Sequence, residues 1–275
     1  MSDREAFLRR FHAARPGITS AALGGAATYD RLIAAVPRGA RVLDLGCGDA
    51  YLVSRLGPRA IGLDLAPSPG PHGAEIVAGR AQAMPFADGA FDACVCHLAF
   101  MLFDDLERVV AELHRVVVPG GTFAAVLGGG PTADGPGNDA FHRFLAIAAP
   151  RGPGLGDRRA GTEAGWRELF SPYQSPPATA RAARSRPASR GGTRDPFGDA
   201  PEGFGGAPRF ERIEVDLSGP LDRVWQFLGA SYQLAEGDAP AVRAALRAAY
   251  AGSATVPCRA VMWLAKARLG YARAS

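Results

Sequence analysis

Apolar residues recur at helical spacing near the start of the chain, where Phe7, Leu8 and Phe11 share one face of a helix predicted over residues 3–14. Ser2 can cap its start and Pro16-Gly17 stops it. A second helix is predicted over about residues 26–35. The stretch RVLDLGCGDAYLVSRL then passes from a short apolar run at 42–45, through a glycine-rich turn, into helical periodicity at Tyr51, Leu52 and Leu56. The pattern continues with strands over 60–65, 75–78 and 91–96, and a helix over 105–117 closed by Pro119-Gly120-Gly121. A fifth strand follows over 122–127. Such βαβα alternation predicts an α/β fold, a parallel sheet with helices on both faces. Near the C-terminus Ile213, Val215 and Leu217 alternate with charged residues. Helices are predicted over 221–234 and 240–250, and a last strand over 259–269.

One segment breaks the pattern. Residues 171–209 are rich in Pro, Gly, Ser and Arg and poor in aliphatics, so little burial can offset the entropy of ordering them. This predicts a flexible insertion in a single domain, 1–275, whose other parts are an N-terminal helical lid (1–36), a core (37–128) and C-terminal strands with a helical cap (210–275). The net charge of +4 has the same origin, because residues 151–210 hold ten Arg against six acids and the remainder is balanced. A nucleic-acid binder is expected to carry a basic face on its folded body, so no nucleic-acid partner is expected. An arm built from Arg181, Arg184, Arg186, Arg190 and Arg194 is the alternative. Lys266 is the chain's one lysine among 31 basic residues, which points to compositional bias instead.

The chain has 275 residues, 47% of them hydrophobic and 21% charged, a globular balance. No stretch approaches the roughly 20 apolar residues of a membrane helix. Asp3 and Glu5 stand where a secretory signal would be basic, so a cytoplasmic protein is expected. Four cysteines make no disulfide framework in a chain of this size. Cys94 and Cys96 beside His97 are spaced too closely for an ordinary thiolate zinc site, and no metal is expected.

The candidate chemistry lies in the glycine turn. Gly46-x-Gly48, after a strand and before a helix, brings backbone N–H groups to the strand's C-terminal end. A dinucleotide fingerprint would want glycine where Tyr51 stands, and a pyrophosphate would be repelled by Asp44. Asp44 suits a cationic group such as an amino-acid ammonium. Eighteen residues after Gly46, Asp64 ends the second strand, where a carboxylate can accept hydrogen bonds from both hydroxyls of a ribose.

With these features the chain resembles the class I S-adenosylmethionine-dependent methyltransferases, in particular the ubiquinone/menaquinone-type small-molecule branch. The resemblance is carried by VLDLGCGDA (42–50), IGLDLA (61–66), GRAQAMPFADGAFDACVCHLAF (79–100) and ELHRVVVPGGTFAAV (112–126). It implies a Rossmann-like doubly wound seven-stranded sheet, mostly parallel with a C-terminal antiparallel strand. It also implies S-adenosyl-L-methionine as cofactor, S-adenosyl-L-homocysteine as product and a small-molecule acceptor. Asp44, Gly46 and Gly48 would line the methionine end, with Leu45 and Cys47 completing the cofactor-binding turn, Asp64 would hold the ribose, Leu65 would pack on the adenine, and Ala81 and Gln82 would lie along its edge. His97 would lie near the sulfonium as the catalytic candidate, a general base if the acceptor must lose a proton. The chain departs from the family's pattern at Ala50, where Gly is common, and at Arg80, where Asp is common. An RNA or protein methyltransferase, or a non-catalytic cofactor-binding protein, are the alternatives.

Overall fold

The computed structural model describes residues 3–68, 73–133, 139–148, 156–173, 207–231, 234 and 237–270. Three helices open the chain: α1 (Asp3–Ala14), α2 (Ile18–Leu23) and α3 (Ala27–Ala34). The alternating core follows as β1 (Val42–Leu45), α4 (Tyr51–Leu56), β2 (Ala60–Asp64), β3 (Glu75–Ala78), β4 (Phe91–His97), α5 (Leu106–Val116) and β5 (Val117–Pro131). Then come α6 (Ala140–Ala148), α7 (Glu163–Phe170), β6 (Arg209–Asp216), α8 (Leu221–Leu228), α9 (Ala239–Ala249) and β7 (Arg259–Arg268).

The seven strands form one sheet in the order β3-β2-β1-β4-β5-β7-β6. β1 runs parallel to both neighbours, with Val42 opposite Ala60 on one side and Ala93 on the other. All four of its residues are buried, as a central parallel strand covered on both faces requires. β7 is antiparallel to β5 and to β6 and wedges between them. The chain builds outward from β1 through β2 and β3, then returns to place β4 on the other side. This reversal opens a crevice at the C-terminal ends of β1 and β4, where open α/β sheets bind ligands.

The two sheet faces carry separate cores. One packs α3, α4, α6, α8 and α9 around residues such as Leu32, Val53, Phe144 and Leu246. The other packs α5 and α7 around Phe123, Leu113 and Trp166. Along α5, Leu106, Val109, Val110, Leu113 and Val116 are buried at the i, i+3, i+4 spacing of an inward stripe. Among the described residues, no helix is long and apolar enough to cross a membrane.

Several boundaries differ from expectation. α2, α6 and α7 were not expected. His97 ends β4 instead of following it. β5 begins directly after α5, because Pro119-Gly120-Gly121 forms a bulge between the pairs Phe91–Val117 and Ala93–Thr122 instead of separating helix from strand. α8 stops at Leu228, six residues early, at Gly229. The insertion expected over 171–209, with its arginine arm, falls mostly outside the described residues. At its edges residues 171–173 form a 3₁₀ turn and Arg209 already belongs to β6.

Candidate functional site

The glycine turn is shaped by backbone conformations that few side chains allow. Gly46 (φ 75°) and Gly48 (φ 57°) lie in the left-handed region, and Ala50 adopts it as well. A Cβ on Gly46 would lie 2.4 Å from that of Ala99, so the turn and the end of β4 approach as closely as they do because Gly46 has none. A Cβ on Gly48 would meet nothing within 4 Å; its face of the turn is open. The Gly46 N–H donates to the Leu63 carbonyl at 2.7 Å, which ties the turn to β2.

Asp64, at the end of β2, closes the frame. Its Oδ2 accepts the Gly48 N–H at 2.9 Å and its Oδ1 accepts the Ala66 N–H at 2.7 Å. Each oxygen keeps a second lone pair for a ligand. Asp44 projects beneath the turn and is 1% exposed, yet its Oδ1 has no hydrogen-bond partner among the described residues. Burial pushes its carboxyl up to about 8, reinforced by the neighbouring charges of Asp64 and Asp49. Three carboxylates around one crevice favour a cationic occupant, and among the described residues they form no cluster able to hold a metal.

His97, at the end of β4, is 8% exposed. Its Nε2 lies 3.0 Å from the Thr28 hydroxyl of α3, and its ring stacks on Tyr29 with 3.9 Å between centroids. Its buried Nδ1 has no partner among the described residues. Burial lowers its basicity to about 3, so the imidazole is neutral at physiological pH. Tyr29 in turn meets the Tyr51 ring edge-on at 4.9 Å, and the Tyr51 hydroxyl donates to the Gly24 carbonyl.

Two adjoining cavities fill the crevice. The first, about 80 Å³, is lined by Asp44, Gly46, Cys47, Gly48, Asp64 and His97 among others. The second, about 90 Å³, is lined by Leu45, Gly46, Asp64, Leu65, Ala81 and Gln82 among others. Each of the ten residues singled out from sequence therefore lines at least one of them. Gln82 is held in place: its side-chain amide donates to the Asp104 carbonyl at 2.7 Å, and its own carbonyl accepts from Arg108 at 2.8 Å. The strand-connecting loop behind it is clamped by Arg115, which donates to the carbonyls of Met84 and Phe86 and to the carboxylates of Glu112 and Asp88.

Sequence reasoning missed the side chains that the N-terminal helices contribute. His12 lines both cavities, Glu5 and Arg9 the second, and Ser20 and Tyr29 the first. Ser20 also donates to Asp49, tying α2 to the glycine turn. The apolar stripe of α1 signalled a packed helix, but nothing local to it signalled which polar residues would reach across to β2 and β3.

The family model described as a methyltransferase domain matches residues 43–125. The chain is 38% identical over 96 residues to the demethylmenaquinone methyltransferase of Thermus thermophilus (30% of this chain, 44% of that protein). It is 35% identical over 102 residues to the malonyl-[acyl-carrier protein] O-methyltransferase of Methylococcus capsulatus (32% and 37%). The chain thus spans less than half the length of either relative. A crystal structure from Anabaena variabilis, of a protein assigned by name to methyl transfer in an antibiotic biosynthesis pathway, shares the fold. The TM-score is 0.52 at 12% identity, covering 86% of this chain and 95% of that one.

The sheet order, with the glycine turn at its switch point, defines a class I methyltransferase fold. Its residues 43–125 match a methyltransferase domain, and that stretch holds most of what the chain shares with the methyltransferases named above.

Proposed function

We propose that this protein moves a methyl group from S-adenosyl-L-methionine to a small-molecule acceptor of the quinone or acyl-thioester kind named for its relatives. The observation that carries the reading is the buried, partnerless Oδ1 of Asp44 beside Asp49 and Asp64 in the first cavity. The residues present fit the donor. Asp44 would face its cationic amino-acid end, Gly46 and Gly48 would bring backbone against it with Leu45 and Cys47 as the turn's walls, and Asp64 would accept from its ribose. Leu65, Ala81 and Gln82 would enclose its base in the second, more apolar cavity. A small acceptor is favoured over nucleic acid because the excess arginine sits in residues 151–210 and not across the folded core. Four free, buried cysteines fit the reducing cytoplasm.

When bound, the cofactor supplies an electrophilic sulfonium methyl. The protein's own task is alignment and the exclusion of water, which α1 and α2 serve by covering the crevice. Asp64→Ala should weaken S-adenosylhomocysteine binding by about 1.5–3 kcal/mol, the range for hydrogen bonds to a charged group. Isothermal titration measures this, and an unchanged dissociation constant would remove Asp64 from the site.

His97 is the proposed catalytic residue, and its environment shapes the role. A neutral imidazole fixed by Thr28 and Tyr29 orients an acceptor by hydrogen bonding more readily than it takes a proton. His97→Ala should therefore lower turnover by about 100-fold, the scale of a misplaced reactant, with cofactor affinity near wild type. The wild-type rate should show no His97 limb between about pH 5 and 7, because the imidazole stays neutral there. A wild-type limb near pH 6.5 that His97→Ala abolishes would contradict the orienting role and make it a general base.

The overall test is turnover of an acceptor panel of quinols and acyl thioesters, read by mass shift, together with a rise in melting temperature on adding S-adenosylmethionine. Tight dinucleotide binding without S-adenosylmethionine binding would sink the reading.

A further inference from the structure

Two features of the second cavity point beyond the residues assigned so far. Its walls are largely aliphatic or aromatic, with Leu8, Leu63, Leu65, Leu102 and Phe103 enclosing a space suited to a flat ring. At its rim, Arg80 donates to Glu5, joining α1 to the segment just beyond β3 across 75 residues of chain. The Glu5 side chain is only 15% exposed and the Arg80 side chain is half-exposed, so the carboxylate is seated against the cavity and the guanidinium lies at its open edge.

Two other polar side chains around this cavity, Asp64 and Gln82, already make hydrogen bonds within the protein. Both Asp64 oxygens brace backbone N–H groups. The Gln82 amide donates to Asp104 and its carbonyl accepts from Arg108. Glu5 and Arg80 together set an acceptor beside a donor. The outer edge of an adenine presents the matching pair, an amine that donates and a ring nitrogen that accepts. A carboxylate can take the first and a guanidinium can supply the second, each while still holding the other, because a carboxylate has about four lone-pair sites and a guanidinium five N–H groups.

We infer that the Glu5–Arg80 pair reads the adenine edge of the cofactor, so that base recognition is assembled only when α1 is docked. The inference rests on the cofactor assignment proposed above and adds its base-specificity determinant. It makes α1 part of the binding site as well as a cover. The acidic acceptor comes from the N-terminal helix, while the position following Gly79 supplies the basic partner. A nucleoside whose edge carries a carbonyl oxygen and a ring N–H, in place of the amine and bare nitrogen, reverses donor and acceptor and should be rejected.

The test compares S-adenosylhomocysteine with S-inosylhomocysteine by isothermal titration on the full chain. Wild type should prefer the adenine compound by about tenfold or more, as expected when an edge is mismatched against committed polar groups. Glu5→Gln, whose amide can donate as well as accept, should bring the ratio near one. Arg80→Ala should reduce it too, and provides the same reading if the Glu5 variant loses α1 docking or fails to fold. A preference that survives in both variants, or is missing in a wild type that binds S-adenosylhomocysteine, overturns the inference and leaves the cofactor assignment standing. A wild type that binds neither compound overturns the cofactor assignment itself.

Discussion

Trp166→Ala should lower the free energy of unfolding by about 3–5 kcal/mol, the range for truncating a fully buried large aromatic residue. Trp166 is completely buried on α7 and sits at the centre of an aromatic cluster. Its ring lies 5.4 Å from Phe123 of β5 and 5.2 Å from both Phe170 and Phe100. Its indole N–H donates to the Ala160 carbonyl at 2.7 Å, so the substitution also leaves that buried acceptor unpaired. Urea denaturation of the two proteins measures the difference. A loss below about 1 kcal/mol would mean that α7 is not integral to the core it covers.

That residue also marks where the sequence stopped being readable. The parallel half of the fold was legible because each strand is an uninterrupted apolar run between punctuating glycines or charges. Val42–Leu45 and Glu75–Ala78 were located to the residue, and Ala60–Asp64 to within one. α7 carries its own signals: Thr162 caps it by accepting the Gly165 N–H, and Trp166, Leu169 and Phe170 recur at i, i+3 and i+4. The Pro/Gly/Arg-rich stretch that follows dominates the composition of that region and masks them. α2 has six residues and no side-chain cap, too little local signal for any pattern.

The same division runs through the site. Asp44, Gly46, Gly48 and Asp64 were legible because a tight turn against a ligand needs those residue types at fixed chain spacing. Thr28, Tyr29 and His12 were not, since their place beside His97 and Asp64 depends on how α1 and α3 pack across the sheet, and no spacing encodes that. Even His97, found by its position after an apolar run, could not be given its character from sequence. The burial that makes it neutral is a tertiary property.

Asp44 should move the pH dependence of cofactor binding up from the acid range of an ordinary surface carboxylate to the approach to pH 8. In the unliganded protein its carboxyl holds a proton up to about pH 8 because of burial, whereas in an unfolded chain it would lose that proton near pH 4. The folded state therefore binds more protons across this interval, and the stability of the free protein should fall as pH rises through it. A cationic ligand reverses the balance, since a positive group beside Asp44 favours its ionised form and expels the proton. Affinity for S-adenosylhomocysteine should accordingly rise between about pH 6 and 8, by up to about tenfold per unit, with proton release visible as a buffer-dependent enthalpy in isothermal titration. At still higher pH the ligand's own α-amino group deprotonates and affinity should fall again. Asp44→Asn cannot titrate, so it should bind more weakly at pH 8 and keep only the falling limb. Wild-type affinity that is flat from pH 6 to 8, or an Asn variant that retains the rise, would show that Asp44 does not face the ligand's cation.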